Sequence, residues 1–396
     1  PSFTRDGFEP RMTDWVRAHL FETMLPFWAR RAFDPDAGGF VSALSQTGER
    51  LPEEMRACLV QSRCLYSFSH AAVMTGEGWA IEAAERAYLC LVSRFRHRSG
   101  LWVTAATPRE GGRRDERLDF YDQAFMLFSL GWWARIGDRN AALTLAEETF
   151  AALEQELGDR EAGGWREDDA ARLPRRQNPH MHLLEAMHAL HEASGEPVWL
   201  ARAETIVTLF LSRFFDAETA TVREFLTAEL DPAAGEAGRL REPGHAMEWV
   251  WLLLQHNRLT GNRSVLGPAH ELYRNARRDG CDASGHLVEV TSAEGRVLDG
   301  SHLLWPQTEA VKAALAMHEF AGTPLGEAEA FLQSLRRVHL QDRGPLWINR
   351  LTAQGAPLTE IVPTRLLYHL VLSLTEYLRV ASSQRERPSA HGESGR

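Results

Sequence analysis

Ser194-Gly195-Glu196-Pro197 separates two helix-like segments, and the same kind of break recurs along the chain. Apolar residues at helical spacing run up to Ser194, glycine suits the end of that helix, and proline just beyond suits the first turn of the next. Comparable breaks are Thr75-Gly76-Glu77-Gly78, Ile136-Gly137-Asp138, Thr260-Gly261-Asn262 and Ala321-Gly322-Thr323-Pro324. Their glycines, 76, 137, 195, 261 and 322, lie 61, 58, 66 and 61 residues apart, which is an internal repeat. The spacing predicts helices over 10–32, 52–75, 78–97, 118–136, 138–157, 178–194, 197–214, 243–260, 262–279, 303–321, 325–340 and 360–381.

These twelve helices are joined alternately by short and long connections. Antiparallel helices linked in that way can close into two concentric rings of six, with the long loops gathered at one end. Strings such as Gly39-Phe40-Val41-Ser42 and Gly285-His286-Leu287-Val288-Glu289-Val290 predict small hairpins in those loops. A repeat closed on itself shares one core, so residues 1–381 are expected to form a single all-α domain, followed by a polar disordered tail over 382–396. Long loops on one face of a rigid scaffold are where sites tend to be built.

Composition narrows the function. The chain has 396 residues, 44% hydrophobic and 25% charged, with no apolar run long enough to span a bilayer and no signal-peptide pattern. Cys58, Cys64, Cys90 and Cys281 show neither metal-type nor disulfide-framework spacing, which fits a reducing cytoplasm. A net charge of −10 with scattered Arg argues against nucleic acid, and nothing suggests a membrane partner. Some of the twelve tryptophans are candidates to stack on a sugar ring, although most aromatic side chains at helical spacing are core.

The segment Arg241-Glu242-Pro243-Gly244-His245-Ala246-Met247-Glu248-Trp249-Val250-Trp251 puts a histidine in the first turn of a helix and a carboxylate three residues on, on the same face. The helix N-terminus disfavours imidazolium, so the sequence predicts a neutral His245 oriented by Glu248. Aligning the six helices that follow long loops places Gln61, Tyr121, His182, His245, Gln307 and His369 in one register, with successive differences of 60, 61, 63, 62 and 62. Buried polar groups cost free energy unless paired, so packing alone does not account for such a ring. His188, His191, His256, His270 and His318 have no comparable context.

Several of these segments resemble the signature segments of the N-acylglucosamine 2-epimerase superfamily: Arg175-Arg176-Gln177-Asn178-Pro179-His180-Met181-His182-Leu183-Leu184-Glu185-Ala186, Pro243 to Trp249, and Leu304-Trp305-Pro306-Gln307-Thr308-Glu309. Phe120-Tyr121-Asp122-Gln123-Ala124-Phe125 and Tyr368-His369 match as well, so the resemblance covers nearly the whole chain. The Trp after Glu248 and the Leu-Trp-Pro-Gln-Thr-Glu string resemble the branch of D-mannose isomerases and sulfoquinovose isomerase more than the N-acylglucosamine epimerases. The resemblance implies an (α/α)6 barrel, with His245 and His369 as the acid/base pair. It also implies that Arg56, Tyr121, Asn178, His182, Glu248, Trp305 and Gln307 line the sugar site. Arg63 is the alternative to Arg56, because Ala57 and Cys58 stand where relatives commonly carry an aromatic residue.

The chemistry can be set against these residues directly. Converting D-mannose to D-fructose removes the C2 proton of the open-chain aldose, passes through a cis-enediol and returns a proton to C1. That requires a base near neutrality and donors for the charge developing on O1. One histidine can serve one face of the enediol, whereas 2-epimerisation needs a second one opposite. The expected partner is a free monosaccharide, without cofactor or metal, in a monomer or homodimer. A metal site at His180 and His182 is disfavoured, since residues i and i+2 do not share a helix face. The competing readings are a sugar 2-epimerase, an (α/α)6 glycoside hydrolase using a pair such as Asp122 with Glu248 or Glu309, and a non-catalytic sugar-binding barrel.

Overall fold

The computed structural model describes residues 11–109, 111–341 and 343–385, and in it four of the five glycine breaks end a helix in the left-handed conformation. Gly76, Gly195, Gly261 and Gly322 have φ of 71°, 77°, 75° and 70°. A Cβ disfavours that backbone, so glycine fixes the stop. Gly137 serves a different purpose: its helix ends earlier, at Trp133, and an added Cβ would lie 2.3 Å from Cε2 of that indole.

Numbered in chain order, α1 runs as Met12–Arg17, a π-helical stretch Ala18–Met24 and Leu25–Arg31. It is followed by α2 (Cys58–Thr75), α3 (Gly78–Arg94), α4 (Phe120–Trp133), α5 (Arg139–Glu156) and α6 (Asn178–Ser194). The second half comprises α7 (Pro197–Leu209), α8 (Pro243–Thr260), α9 (Leu266–Asp279), α10 (Leu304–Ala321), α11 (Leu325–Leu335) and α12 (Leu367–Arg385). The even-numbered helices pack one on the next, and α12 returns to α2, closing an inner ring. In α6 every side chain from Pro179 to Leu190 is buried, whereas α9 buries only Ala269, Leu272, Tyr273 and Ala276. A helix covered all round belongs to the inner ring; one with a single apolar stripe belongs to the outer. The fold is the (α/α)6 barrel of the all-α class. Trp249 shows how the rings are joined: fully buried on α8, it stacks on Phe210 at the end of α7 with ring centroids 4.0 Å apart and donates Nε1–H to Gln177 Oε1 at 2.7 Å.

The long loops are tied by very short antiparallel strands that form a belt over one end. Ala43–Ser45 pairs with Ile361–Pro363, Arg56–Ala57 with Ala105–Ala106, Arg175–Arg176 with Phe225–Leu226, Leu240–Arg241 with Val290–Ser292, and His302–Leu303 with Arg350–Leu351. A bridge between Asp119 and Asp168 supplies the remaining tie. Each long loop is thereby fastened to the next, and the last to the first.

This belt explains where helix limits depart from expectation. The helix expected from 52 begins at Cys58, because Arg56–Ala57 is drawn into a strand. The one expected from 360 begins at Leu367, after the strand Ile361–Pro363 and a 3₁₀ turn Thr364–Leu366. Local apolar pattern continues through both strands, and cross-strand pairing overrides it. At its other end α12 continues to Arg385, into the tail expected from 382, and 386–396 lie outside the described residues. Among the described residues no helix is long and apolar enough to cross a membrane.

Candidate active site

The N-terminal turns of the inner helices surround a funnel under the belt, with a cavity of about 350 Å³. Tyr121 is the second residue of α4, Asn178 the first of α6, His245 the third of α8, Trp305 the second of α10 and His369 the third of α12; all five line the cavity. His182 and Glu248 lie one turn deeper and also face it. Free backbone N–H groups and positive dipole ends thus converge on one space, which favours negative charge there.

His245 is 6% exposed, and its Nδ1 lies 2.8 Å from Glu224 Oε2 and 3.4 Å from Glu242 Oε2. Glu224 is fixed in turn by Gln177 Nε2 at 2.9 Å and the Glu242 backbone N–H at 3.1 Å. Burial works against a charged ring, but the two carboxylates outweigh it and push His245 up to about 10. The neutral His245 expected from the helix dipole is therefore corrected to an imidazolium: the Glu224 carboxylate hydrogen-bonded at 2.8 Å, with Glu242 at 3.4 Å behind it, exceeds one half-charge at a helix end, while burial pushes Glu242 itself up to about 7. Its orienting acid is also not Glu248. With Nδ1–H given to Glu224, Nε2 is left to exchange protons, and it sits 3.0 Å from the Asn178 side-chain amide. Asn178 Nδ2 donates to the neutral ring; Oδ1, otherwise unpartnered, can accept from the charged one after an amide rotation.

His369 also has a carboxylate on Nδ1, Glu309 Oε1 at 2.8 Å, yet burial and the Arg63 and Lys312 cations hold it well below the usual imidazole range. The difference lies one atom further on: Glu309 Oε2 is 2.6 Å from Lys312 Nζ, with both side chains wholly buried. The lysine neutralises the acid, so Glu309 orients His369 without charging it. Nδ1–H points to Glu309, and the remaining nitrogen, Nε2, is a bare acceptor. Trp305 stands between the two histidines, its ring centroid 4.9 Å from His245 and 5.8 Å from His369. Gly244 permits this, since a Cβ there would come within 2.6 Å of Trp305 Cη2.

On the opposite wall Arg63, 3% exposed, donates from Nη2 to Tyr121 Oη at 2.8 Å and from Nη1 to the Arg365 carbonyl at 3.2 Å. It lies 4.2 Å from the Phe125 ring centroid, and its Nε has no partner. A desolvated guanidinium with a spare donor suits a developing oxyanion. His182 Nδ1 meets Glu185 Oε2 at 3.1 Å, and its Nε2 lies 3.4 Å from Tyr121 Oη. Burial, followed by Arg63 and His245, keeps His182 well below the usual imidazole range. Glu248 accepts from Tyr368 Oη at 3.4 Å; burial and neighbouring Glu309 push its carboxyl well up.

Two expected site residues lie elsewhere. Arg56 is 1% exposed and holds the first long loop, binding Asp34 Oδ2 at 2.7 Å, Glu53 Oε1 at 3.3 Å and the Gly38 carbonyl at 3.2 Å; Arg63, in the second turn of α2, faces the funnel instead. Gln307 clasps the backbone of Leu287, taking its N–H at 3.0 Å and donating to its carbonyl at 2.8 Å. Gln61 does the same to Phe40 at 2.8 Å and 2.8 Å, and Gln123 to Trp102 at 2.9 Å and 2.8 Å. The aligned register thus merges two layers: side chains that face the funnel and glutamines that pin the loops above it. Asp122 does not line the cavity, so it forms no carboxylate pair with Glu248 there.

Sequence reasoning missed Glu224, Lys312 and Arg365. Glu224 comes from an irregular loop with no periodicity to mark it, whereas the Glu309–Lys312 pair at i, i+3 inside an apolar helix was a visible signal. Donor atoms of His182, Glu185 and Glu248 lie within 4.8 Å of one another, as do those of Glu224, Glu242 and His245, and of Glu248, Glu309 and His369. These groups could ligate a cation, but their imidazole Nδ1 atoms are already hydrogen-bonded to carboxylates in each set that contains one.

Compared with known proteins, residues 38–373 match the sequence profile of N-acylglucosamine 2-epimerase (GlcNAc 2-epimerase). The chain belongs to this family. A relative from Rhizobium meliloti (strain 1021), named mannose-6-phosphate isomerase, is 33% identical over 90% of this chain and 94% of its own length. A D-mannose isomerase from Pseudomonas cannabina pv. alisalensis is 28% identical over 68% of this chain and 70% of its own. The solved structure of cellobiose 2-epimerase from Spirochaeta thermophila DSM 6192 superposes with a TM-score of 0.85 at 24% identity, over 95% of this chain and 98% of that one, which speaks to the fold. Family membership makes the chain a sugar isomerase or epimerase.

Proposed function

We propose that the chain is an aldose–ketose isomerase that interconverts D-mannose and D-fructose through a cis-enediol. The observation that carries this reading is the unequal surroundings of two buried histidines beside Trp305: His245 Nδ1 faces Glu224 at 2.8 Å and Glu242 at 3.4 Å, whereas the Glu309 carboxylate on His369 Nδ1 is already paired with Lys312 at 2.6 Å, which favours a charged His245 and a neutral His369. Two titratable groups whose surroundings drive them apart divide naturally into acid and base.

His369 Nε2 takes the C2 proton of the open-chain sugar while His245 Nε2–H protonates the aldehyde O1, giving a neutral cis-enediol. His369 then delivers its proton to C1 on the same face, and His245 recovers the proton of the C2 hydroxyl as the ketone forms. Both histidines end as they began. Arg63 and Tyr121 stabilise partial charge on the enediol oxygens, and Trp305 is the apolar platform against which the carbon chain lies. If the His245 proton reached C2 instead of oxygen, the outcome would be epimerisation, so the two activities differ in which atom faces His245.

A second reading concerns the substrate. Arg365 is exposed at the mouth of the funnel, and among the described residues no carboxylate pairs with it. An unpaired guanidinium there favours an anionic substituent remote from the reacting carbons, such as the 6-phosphate in the name of the 33% identical relative. The deciding experiment incubates the chelator-treated protein separately with D-mannose, D-mannose 6-phosphate, N-acetylmannosamine and cellobiose. Ketose from D-mannose is expected. Ketose from the phosphate alone moves the assignment to the second reading, an epimeric aldose without ketose refutes the isomerase, and release of glucose from cellobiose would mark a hydrolase.

A further inference from the structure

The barrel has a second cavity at the other end, about 410 Å³, that the proposed chemistry does not use. Its walls come from the C-terminal halves of the inner helices, including Phe128 and Trp132 of α4, His188 of α6, and Trp251 and Gln255 of α8. The size lies in the range of small-molecule sites, and the lining combines aromatic surface with a few polar groups.

Those polar groups are buried and left without partners. Gln255 is 3% exposed, and neither its Oε1 nor its Nε2 is hydrogen-bonded. His188 is 6% exposed, and its Nδ1 is unpartnered. The protonation of that ring follows from its neighbours: His256 Nε2 gives its proton to Glu204 Oε2 at 2.8 Å, so His256 Nδ1 accepts from His188 Nε2–H at 3.1 Å. His188 Nδ1 is then a bare acceptor. Glu185, which orients His182 through Oε2, has a second oxygen with no partner and also lines this cavity. The site therefore offers two acceptors and one amide that both donates and accepts, beside two indole rings. Charges near the mouth are largely satisfied among themselves: Arg379 by Glu319 at 2.6 Å and Glu376 at 2.8 Å, Arg135 by Glu192 at 3.1 Å.

We propose that this cavity is a second binding site, for an uncharged ligand dense in hydroxyl groups, namely a mono- or disaccharide. Hydroxyls supply the donors that His188 Nδ1 and Glu185 Oε1 lack and answer both atoms of the Gln255 amide, while the aromatic wall of Phe128, Trp132 and Trp251 gives apolar contact to the C–H side of a pyranose. Since Glu185 lines this cavity and is hydrogen-bonded to His182, which lines the funnel, occupancy here also adjusts the carboxylate behind His182. The inference stands independently of which sugar the funnel converts.

Calorimetric titration of the full chain with methyl α-D-mannoside and with cellobiose tests it, alongside Gln255→Leu, which removes the amide at similar volume, and Trp305→Ala, which disables the funnel. At least one of the two probes is expected to bind at two sites per chain, one of which survives Trp305→Ala. Gln255→Leu is expected to weaken that surviving site at least tenfold and leave kcat and KM unchanged. Ala189→Met, which fills the cavity from α6, is expected to produce the same loss by an independent route. Loss of all binding of both probes in Trp305→Ala, or a surviving site indifferent to both Gln255→Leu and Ala189→Met, overturns the proposal.

Discussion

Glu224→Gln isolates the charge that sets His245 apart from His369. The substitution keeps an acceptor for the His245 Nδ1–H and removes one negative charge 2.8 Å from the ring nitrogen. Two unit charges about 4 Å apart, at an effective dielectric of about 20, interact by about 4 kcal/mol, equivalent to about 3 on the pH scale. His245 is 6% exposed, so little of that is screened by solvent. With Glu242 still in place, the ring is expected to fall from about 10 to near 7, roughly its ordinary value. The sign follows from its role as an acid: a raised value keeps the proton on as pH rises, and lowering it strips the proton earlier. In the parent, kcat should hold up to about pH 10 before declining. In the variant the alkaline limb should begin near pH 7, with a loss of about 30-fold at pH 8.5 and little change at pH 6. A pH–rate series for both proteins, paired with NMR titration of the His245 ring, measures this. An alkaline limb in the same place, or a loss equal at every pH, refutes the assignment of His245 as the charged acid.

The other expectations concern the walls of the funnel. Arg63→Met should lower kcat by about 10²–10³ with a smaller change in KM, because the guanidinium acts mainly on charge that develops during reaction; equal activity would remove Arg63 from the mechanism. Gly244→Ala forces a Cβ to within 2.6 Å of the Trp305 ring, and overpacking of this kind costs about 1–3 kcal/mol. A lower melting temperature together with at least a tenfold loss in kcat/KM is expected, and unchanged kinetics would show that Trp305 has no positioning role. Gln307→Leu leaves the Leu287 N–H and carbonyl unpaired, a loss of about 1–3 kcal/mol read in denaturant unfolding, with KM nearly unchanged; a large rise in KM with undiminished stability would return Gln307 to the sugar site.

The scaffold was legible because its signals are local. Glycines at helix ends, proline at helix starts and apolar runs of helical length repeat about every 60 residues, and none depends on distant partners. His182, His245 and His369 were visible for the same reason, each sitting in or near the first turn of an inner helix. What was hidden depends on contacts across the chain. Glu224 reaches His245 from 21 residues upstream in an irregular loop, and two-residue strands such as Arg56–Ala57 exist only because Ala105–Ala106 lies alongside. Gln307 was misread because glutamine in the first turn looks the same in sequence whether it turns towards a sugar or towards the backbone of a loop. The charge on His245 was misread because a helix dipole can be inferred from one segment, while the two carboxylates that overrule it are recognised only when the loops are in place.

The belt of strand pairs has a consequence for synthesis on the ribosome. Its closing tie joins Ala43–Ser45 to Ile361–Pro363, and the helix that immediately follows carries His369. Inner helices that emerge early have their neighbours on one side only until α12 arrives, so the ring cannot seal progressively. The nascent chain therefore holds His245, on α8, well before His369 exists. A truncated or stalled product ending before Ile361 lacks His369 and the closing tie together, which couples completion of the fold to completion of the funnel.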